Sequence, residues 1–224
     1  MNDMVRQSVE QPTPSSRRNF MVQGLGLLAV SSLAIARSAT GAVAKKPLPP
    51  FDLSFVGDKL TLYRRKVWTD EKAKAWMLRE GGIYDRITVH HQGGSICTAR
   101  DKDEVAAEIN VVYAGHKQKK YADIAYHFII DYAGSIWEGR SLAYEGAHVM
   151  NQNKNNIGIL FLGNYQKQNP SQDSLTTLKN FITVLRKRFG IKHHRIYGHR
   201  DLGQTLCPGK NLYPHVVAIR EGKA

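Results

Sequence analysis

The 224-residue chain has only two cysteines, Cys97 and Cys207. A scaffold stapled by several disulfides is therefore excluded, and at most one internal bridge can form. Long apolar runs are also missing. The stretch from Val22 to Ala36 is interrupted by Gly24, Gly26, Ser31 and Ser32, and it falls short of the ~20 residues that a membrane-spanning helix needs. Acidic residues are scarce, with 19 Asp and Glu against 32 Lys and Arg for a formal net charge of +13. Such a balance says nothing about fold but suits an anionic partner: nucleic acid, an anionic lipid surface, or an acidic polymer such as a cell wall. No internal repeat or low-complexity tract is present.

What is there begins with Ser16-Arg17-Arg18-Asn19-Phe20-Met21, the modestly apolar run, and the small-residue triplet Ala42-Val43-Ala44. This pattern reads as a cleaved twin-arginine export signal over residues 1–44, with a retained anchor as the competing reading. No cysteine follows the run to accept a lipid. Cleavage after Ala44 leaves one domain's worth of strongly basic chain, located in the periplasm or outside the cell, with no stable membrane anchor. Export argues against nucleic acid and leaves the acidic polymer as the favoured partner. Residues 45–65, opening on Lys45-Lys46-Pro47-Leu48-Pro49-Pro50, read as a linker and N-terminal extension, and residues 66–224 as the folded domain.

Within that domain Thr69 is a candidate cap for a short helix from Asp70 to Leu78, ended by Gly81-Gly82. Ile87 and Val89 alternate with polar neighbours in a strand that ends at His90-His91. Residues 101–119 have Val105, Ala106, Ile109, Val112 and Tyr113 on one helical face. Two β-rich runs flank the turn former Asp131-Tyr132-Ala133-Gly134, which predicts a hairpin. The nearly continuous apolar run from Asn156 to Asn164 predicts a strand buried on both faces. Residues 174–189 form an amphipathic helix behind the capping candidates Asp173 and Ser174, and Gly190 stops it. A short strand before His199 and a terminal helix starting near Pro214 complete an α/β domain with a central mixed β-sheet flanked by helices.

His90 and His199 each sit at a predicted strand end, where α/β sheets present functional groups. Cys207 follows in a loop stiffened by Pro208 and Gly209. Two imidazoles and a thiolate suit zinc and leave a fourth position open for water. On spacing alone the zinc reading is the weaker one, against Cys207 as a buried thiol or as the disulfide partner of Cys97.

Four blocks go further: "ITVHHQGG", "DIAYHFIIDYAGSIWEGR", "GAHVMNQNKNNIGILFLGNY" and "IYGHRDLGQTLCPGK". In order, and over most of the chain from Ile83 to Pro214, they resemble the zinc-dependent N-acetylmuramoyl-L-alanine amidases, the type 2 amidase and peptidoglycan recognition protein family. The resemblance implies that family's fold, with His90, His199 and Cys207 as ligands of a catalytic Zn2+, which leaves Cys97 without an internal partner. It implies catalytic roles for Tyr126 and Thr205, and a substrate-binding role for His148 in the cleft. It also implies peptidoglycan or muropeptides as partners of a monomeric amidase domain over residues 66–224, cleaving the bond between N-acetylmuramic acid and L-alanine. A recognition protein without catalysis, or a zinc peptidase acting on another exported substrate, is the alternative.

The remaining histidines read as structural or solvated. His91 should point to the sheet face opposite His90, His193 and His194 lack a third partner at ligand spacing, and His116 near a helix C-terminus should complement its dipole. Two departures from the resemblance stand out. Ser141-Leu142 occupies the place where many diaminopimelate-preferring members have Gly-Trp. Leu160 and Leu162 occupy the strand where a related amidase branch has an acidic residue.

Overall fold

The computed structural model describes residues 48–223; the expected export signal over residues 1–44 lies outside them. The described chain builds a six-stranded sheet from β1 (Leu62–Tyr63), β2 (Arg86–His91), β3 (Phe128–Ile130), β4 (Ile136–Glu138), β5 (Asn156–Phe161) and β6 (Ile196–Gly198). The strand order is β1-β4-β3-β5-β2-β6. Only the β3–β4 hairpin is antiparallel, so the sheet is mixed. At the hairpin's turn the Asp131 carboxylate accepts from the Ser135 amide and the Trp137 indole, both at 2.8 Å.

Helices cover both faces, as the apolar run of β5 requires. Ile157, Ile159 and Phe161 pack with Leu178, Phe181, Ile182 and Leu185 of α2 (Gln172–Phe189) and with Val216 and Ile219 of α3 (Tyr213–Arg220). On the other face Leu160 joins Ile129 and Trp137 beneath Val105, Ile109 and Tyr113 of α1 (Lys102–Gln118). Side chains alternate across a strand. Ile87 and Val89 of β2 therefore enter the α2–α3 core, and Thr88 and His90 project on the α1 face. The buried residues of α1 pack over β3, β4 and β5 and not over β2 and β6. The site is built on that half of the sheet.

Residues 45–65, expected as linker and extension, contribute to the packing: Leu53 and Val56 are buried in the α2-side core and β1 pairs with β4. Two local expectations are corrected. The helix expected over residues 70–78 is absent, and only a 3-10 turn at Ala75–Met77 forms. The Lys74 amide donates to the Ala122 carbonyl at 2.9 Å, so tertiary bonding displaces a helix too short to persist alone. The cap of α2 is Ser171, not Asp173 or Ser174; its hydroxyl accepts from the Ser174 amide.

Phe181 is fully buried and meets Phe128 edge to face, with ring centroids 4.8 Å apart. Truncation to alanine deletes that packing and leaves a cavity. Phe181→Ala should lower unfolding free energy by about 3–5 kcal/mol, measured by denaturant titration at an unchanged slope.

No helix among the described residues is long and apolar enough to cross a membrane.

Candidate functional site

The end of β2 delivers His90, and β6 runs directly into a 3-10 turn, His199–Asp201, that delivers His199. Asp201 shapes this turn by accepting from the Gly198 amide at 2.8 Å, and an ion pair with Arg220 ties it to α3 at 2.8 Å. The loop carrying Cys207 closes back on the same turn, because the Arg200 amide donates to the Cys207 carbonyl at 2.8 Å. Thr205 tightens the loop from within, its hydroxyl oxygen accepting from the Cys207 amide at 3.1 Å.

These contacts bring one ligand-capable atom each from His90, His199 and Cys207 within 4.8 Å of one another. Cys207 Sγ lies 3.7 Å from His90 Nδ1. A tetrahedral zinc with Zn–S near 2.3 Å and Zn–N near 2.0–2.1 Å sets neighbouring ligand atoms ~3.3–3.6 Å apart, so the donor set and the His90–Cys207 separation fit such an ion with one position open. Neither cysteine is in a disulfide, and Cys207 Sγ faces His90.

The electrostatics match a metal site. Burial holds His90 well below the usual imidazole range, with His148 and His199 adding repulsion, and burial also lowers His199. Both rings are thus neutral donors. Burial pushes the Cys207 thiol up to about 12, partly opposed by the His91 amide, which donates to Sγ at 3.3 Å. A thiolate at that place at neutral pH needs a cation beside it, and metal coordination deprotonates a thiol outright.

Tyr126, just before β3, packs its ring 5.1 Å from the His90 ring. Burial raises its phenol pKa, with Cys207 and Tyr121 adding to the shift. Thr205 sits in the ligand loop. His148 is only 7% exposed and lies behind His90, with His90 Nε2 and His148 Nδ1 3.0 Å apart and His148 Nε2 3.1 Å from the Asn156 carbonyl. All six residues singled out from the sequence are therefore gathered in one region, although His148 has both ring nitrogens engaged inside the protein.

His91 uses Nδ1 to accept from the Tyr165 amide at 3.0 Å and is not a ligand-cluster member. His193 and His194 are exposed, and His193 Nδ1 donates to the Ile219 carbonyl. The expected dipole role of His116 is corrected. Its Nδ1 accepts from the Ala125 amide, its ring stacks on Tyr121 at 5.3 Å, and burial drives its pKa to about 4, so it carries no charge to offer the helix end. Leu160 and Leu162 are buried in the α1-side core, and β5 places no carboxylate beside His90. Leu142 is buried too, so Ser141-Leu142 turns an apolar side chain into the core.

A cleft of about 600 Å³ has Met77, Arg79, Lys120, Tyr121, Asn151 and Lys154 among its walls, and none of the six site residues lines it. Arg140 also lines it, but its guanidinium donates to the carbonyls of Asp123, Ile124 and Glu145. Arg79, Lys120 and Lys154 have no ion-pair partner among the described residues. The sequence reading missed these cations, because they come from three separate loops with no local pattern. It also missed Gly158, which has a readable signal because a glycine inside a strand marks close approach of another group, and Gly146, which lies in a loop and has none.

The model of the Amidase_2 family, described as N-acetylmuramoyl-L-alanine amidase, matches residues 80–210, more than half of the chain. Peptidoglycan-recognition protein SC2 of Drosophila simulans is 34% identical over 138 residues, 61% of this chain and 74% of the relative. Among solved structures, the ectodomain complex of peptidoglycan recognition proteins LCa and LCx with bound tracheal cytotoxin aligns with TM-score 0.63 at 26% identity, over 69% of this chain and 93% of that one. The N-acetylmuramoyl-L-alanine amidase LysC from Clostridium intestinale shares the fold, with TM-score 0.57 at 22% identity over 72% of this chain and 96% of that one. With the mixed sheet and the matched region coinciding, this chain belongs to the N-acetylmuramoyl-L-alanine amidase family that includes the peptidoglycan recognition proteins.

Proposed function

We propose that the protein is a zinc-dependent N-acetylmuramoyl-L-alanine amidase, exported by the twin-arginine route, that binds peptidoglycan or muropeptides and releases the stem peptide. The observation that carries this reading is the convergence of His90, His199 and Cys207 within 4.8 Å, beside the half-buried Tyr126. A site serving binding alone has no need of a buried thiol that only a cation makes anionic. Relatives named for recognition make a purely binding role the second reading.

The chemistry that a bound zinc supplies is Lewis acidity, which brings the pKa of water toward neutrality and polarises a carbonyl. The chain's own groups do the rest. His90, His199 and Cys207 would hold the ion, and the His91 amide stabilises charge on Sγ. Tyr126 keeps its proton because burial raises its pKa, so its hydroxyl is a donor for the oxyanion that develops as the amide carbonyl is attacked. Thr205 holds the ligand loop through the Cys207 amide and retains its own hydroxyl proton for donation. Arg79, Lys120 and Lys154, without ion-pair partners among the described residues, favour an anionic peptide in the cleft they line.

Digestion of purified sacculi, read by mass spectrometry, tests the proposal. Intact glycan with free stem peptides beginning at L-alanine is the expected result, abolished by a chelator. Cuts within the peptide would make the protein a peptidase, and retention on sacculi with no release would make it a recognition protein.

A further inference from the structure

His148 has a different place from the substrate contact that the family resemblance implies. Its ring is buried behind His90, on the α1 face of the sheet, and each of its nitrogens meets one partner. Nε2 faces the Asn156 main-chain carbonyl at 3.1 Å, and a carbonyl only accepts. Nε2 therefore carries the hydrogen. In a neutral imidazole the other nitrogen, Nδ1, is then an acceptor. The group facing it at 3.0 Å is His90 Nε2, which must donate. A hydrogen on His90 Nε2 leaves the lone pair on His90 Nδ1, the nitrogen 3.7 Å from Cys207 Sγ. The chain of bonds runs in one direction only, from a backbone carbonyl to the atom that would meet the metal.

The slot that holds this ring is built from absent side chains. A Cβ on Gly158 of β5 would stand 2.5 Å from the His148 ring, and one on Gly146 would stand 2.4 Å from it. Both are closer than any real Cβ contact. Asn153 Oδ1 accepts from the His148 and Val149 amides at 2.8 and 2.9 Å, fixing the backbone from which the ring descends. The Asn156 side chain is anchored in turn, accepting from the Thr88 hydroxyl at 2.9 Å and donating to the Gln152 carbonyl. Thr88 lies on β2 two residues before His90, so the carbonyl end and the ligand end of the chain are held by adjacent, paired strands.

We infer that His148 is a positioning residue of the metal site: seated in the Gly146–Gly158 slot, it relays the Asn156 carbonyl to His90 and fixes His90 in the tautomer that binds the metal through Nδ1. It acts on the metal, not on the substrate. Outer partners of metal-bound imidazoles orient the ring and raise its basicity. An imidazole in that role is unusual beside the common carboxylate or carbonyl, and here the carbonyl acts one ring further out. The inference rests on the metal reading of the site and extends it.

Nitrogen-15 NMR of the histidine rings in the zinc-loaded full chain tests it without any substitution. The expected spectrum has His90 and His148 both protonated at Nε2, with His90 bound through Nδ1. A His148 protonated at Nδ1, or a His90 bound through Nε2, overturns the inference. Zinc affinity, measured by competition with a chromophoric chelator, gives a second arm. His148→Phe keeps a ring of similar size and removes both nitrogens, and should weaken zinc binding by about 10–100-fold. His148→Gln retains an acceptor oxygen and a donor amide, and should recover part of that loss. Affinity in His148→Phe within twofold of the wild type overturns the inference while leaving the amidase reading untouched. A wild-type chain that binds no zinc removes the metal reading, and this inference falls with it.

Discussion

Cys207→Ser should abolish stoichiometric zinc binding and, with it, stem-peptide release. The affinity loss should exceed the ~10–100-fold that follows removal of an outer partner, because a ligand itself is deleted. The reasoning starts from the thiol. Burial raises its pKa to about 12, so at neutral pH the group carries charge only when a cation compensates it, and a bound zinc would displace that proton and take the soft thiolate as its ligand. A serine hydroxyl is harder to ionise and is a poor zinc ligand at neutral pH. The backbone has little reason to move, since the Arg200 amide bonds the Cys207 carbonyl and the Thr205 hydroxyl bonds the Cys207 amide, and neither contact uses the side chain. Zinc content by atomic absorption, paired with an unchanged circular dichroism spectrum, isolates the loss of the ligand from loss of the fold. Full occupancy and full turnover in the serine variant would show that the ion, if any, is held elsewhere.

Tyr126→Phe should lower kcat by about 10²–10³-fold, the usual consequence of deleting one donor to a developing oxyanion. KM and zinc content should stay near the wild type. The phenol is held against His90 by ring packing at 5.1 Å, which phenylalanine preserves, so the substitution removes the hydroxyl and little else. Raised pKa is part of the argument. A phenol pushed upward by burial stays protonated across the physiological range and remains a donor throughout, so the profile of kcat against pH should show no limb from this group. Measured kcat equal to the wild type on a defined muropeptide would remove Tyr126 from catalysis without touching the ligand set.

Much of the fold is legible locally. The unbroken apolar run of β5 states that both of its faces are covered, and α1 and α2–α3 cover them. The helix expected over residues 70–78 was not decided locally, because the Lys74 amide bonds Ala122, far along the chain. His116 shows the same limit at a single residue. Its position near the end of α1 suggests a cation, whereas burial against Tyr121 and a bond from the Ala125 amide make it a neutral acceptor. Charge state depends on surroundings that sequence neighbours do not supply.

The sequence by itself determined the chemical inventory: two strand-end histidines, one cysteine in a turn-rich loop, a tyrosine entering a hairpin, and a family pattern that ties them together. Residue types and short-range periodicity set those, because strands, caps and turns are local choices. Only the tertiary structure decided that His90 and Cys207, 117 residues apart, lie within bonding reach of one ion, and that His148 faces His90 and not the solvent. Parallel strand pairing across β5, β2 and β6 makes that decision, together with the space left by Gly146 and Gly158, and pairing between distant segments has no local signature.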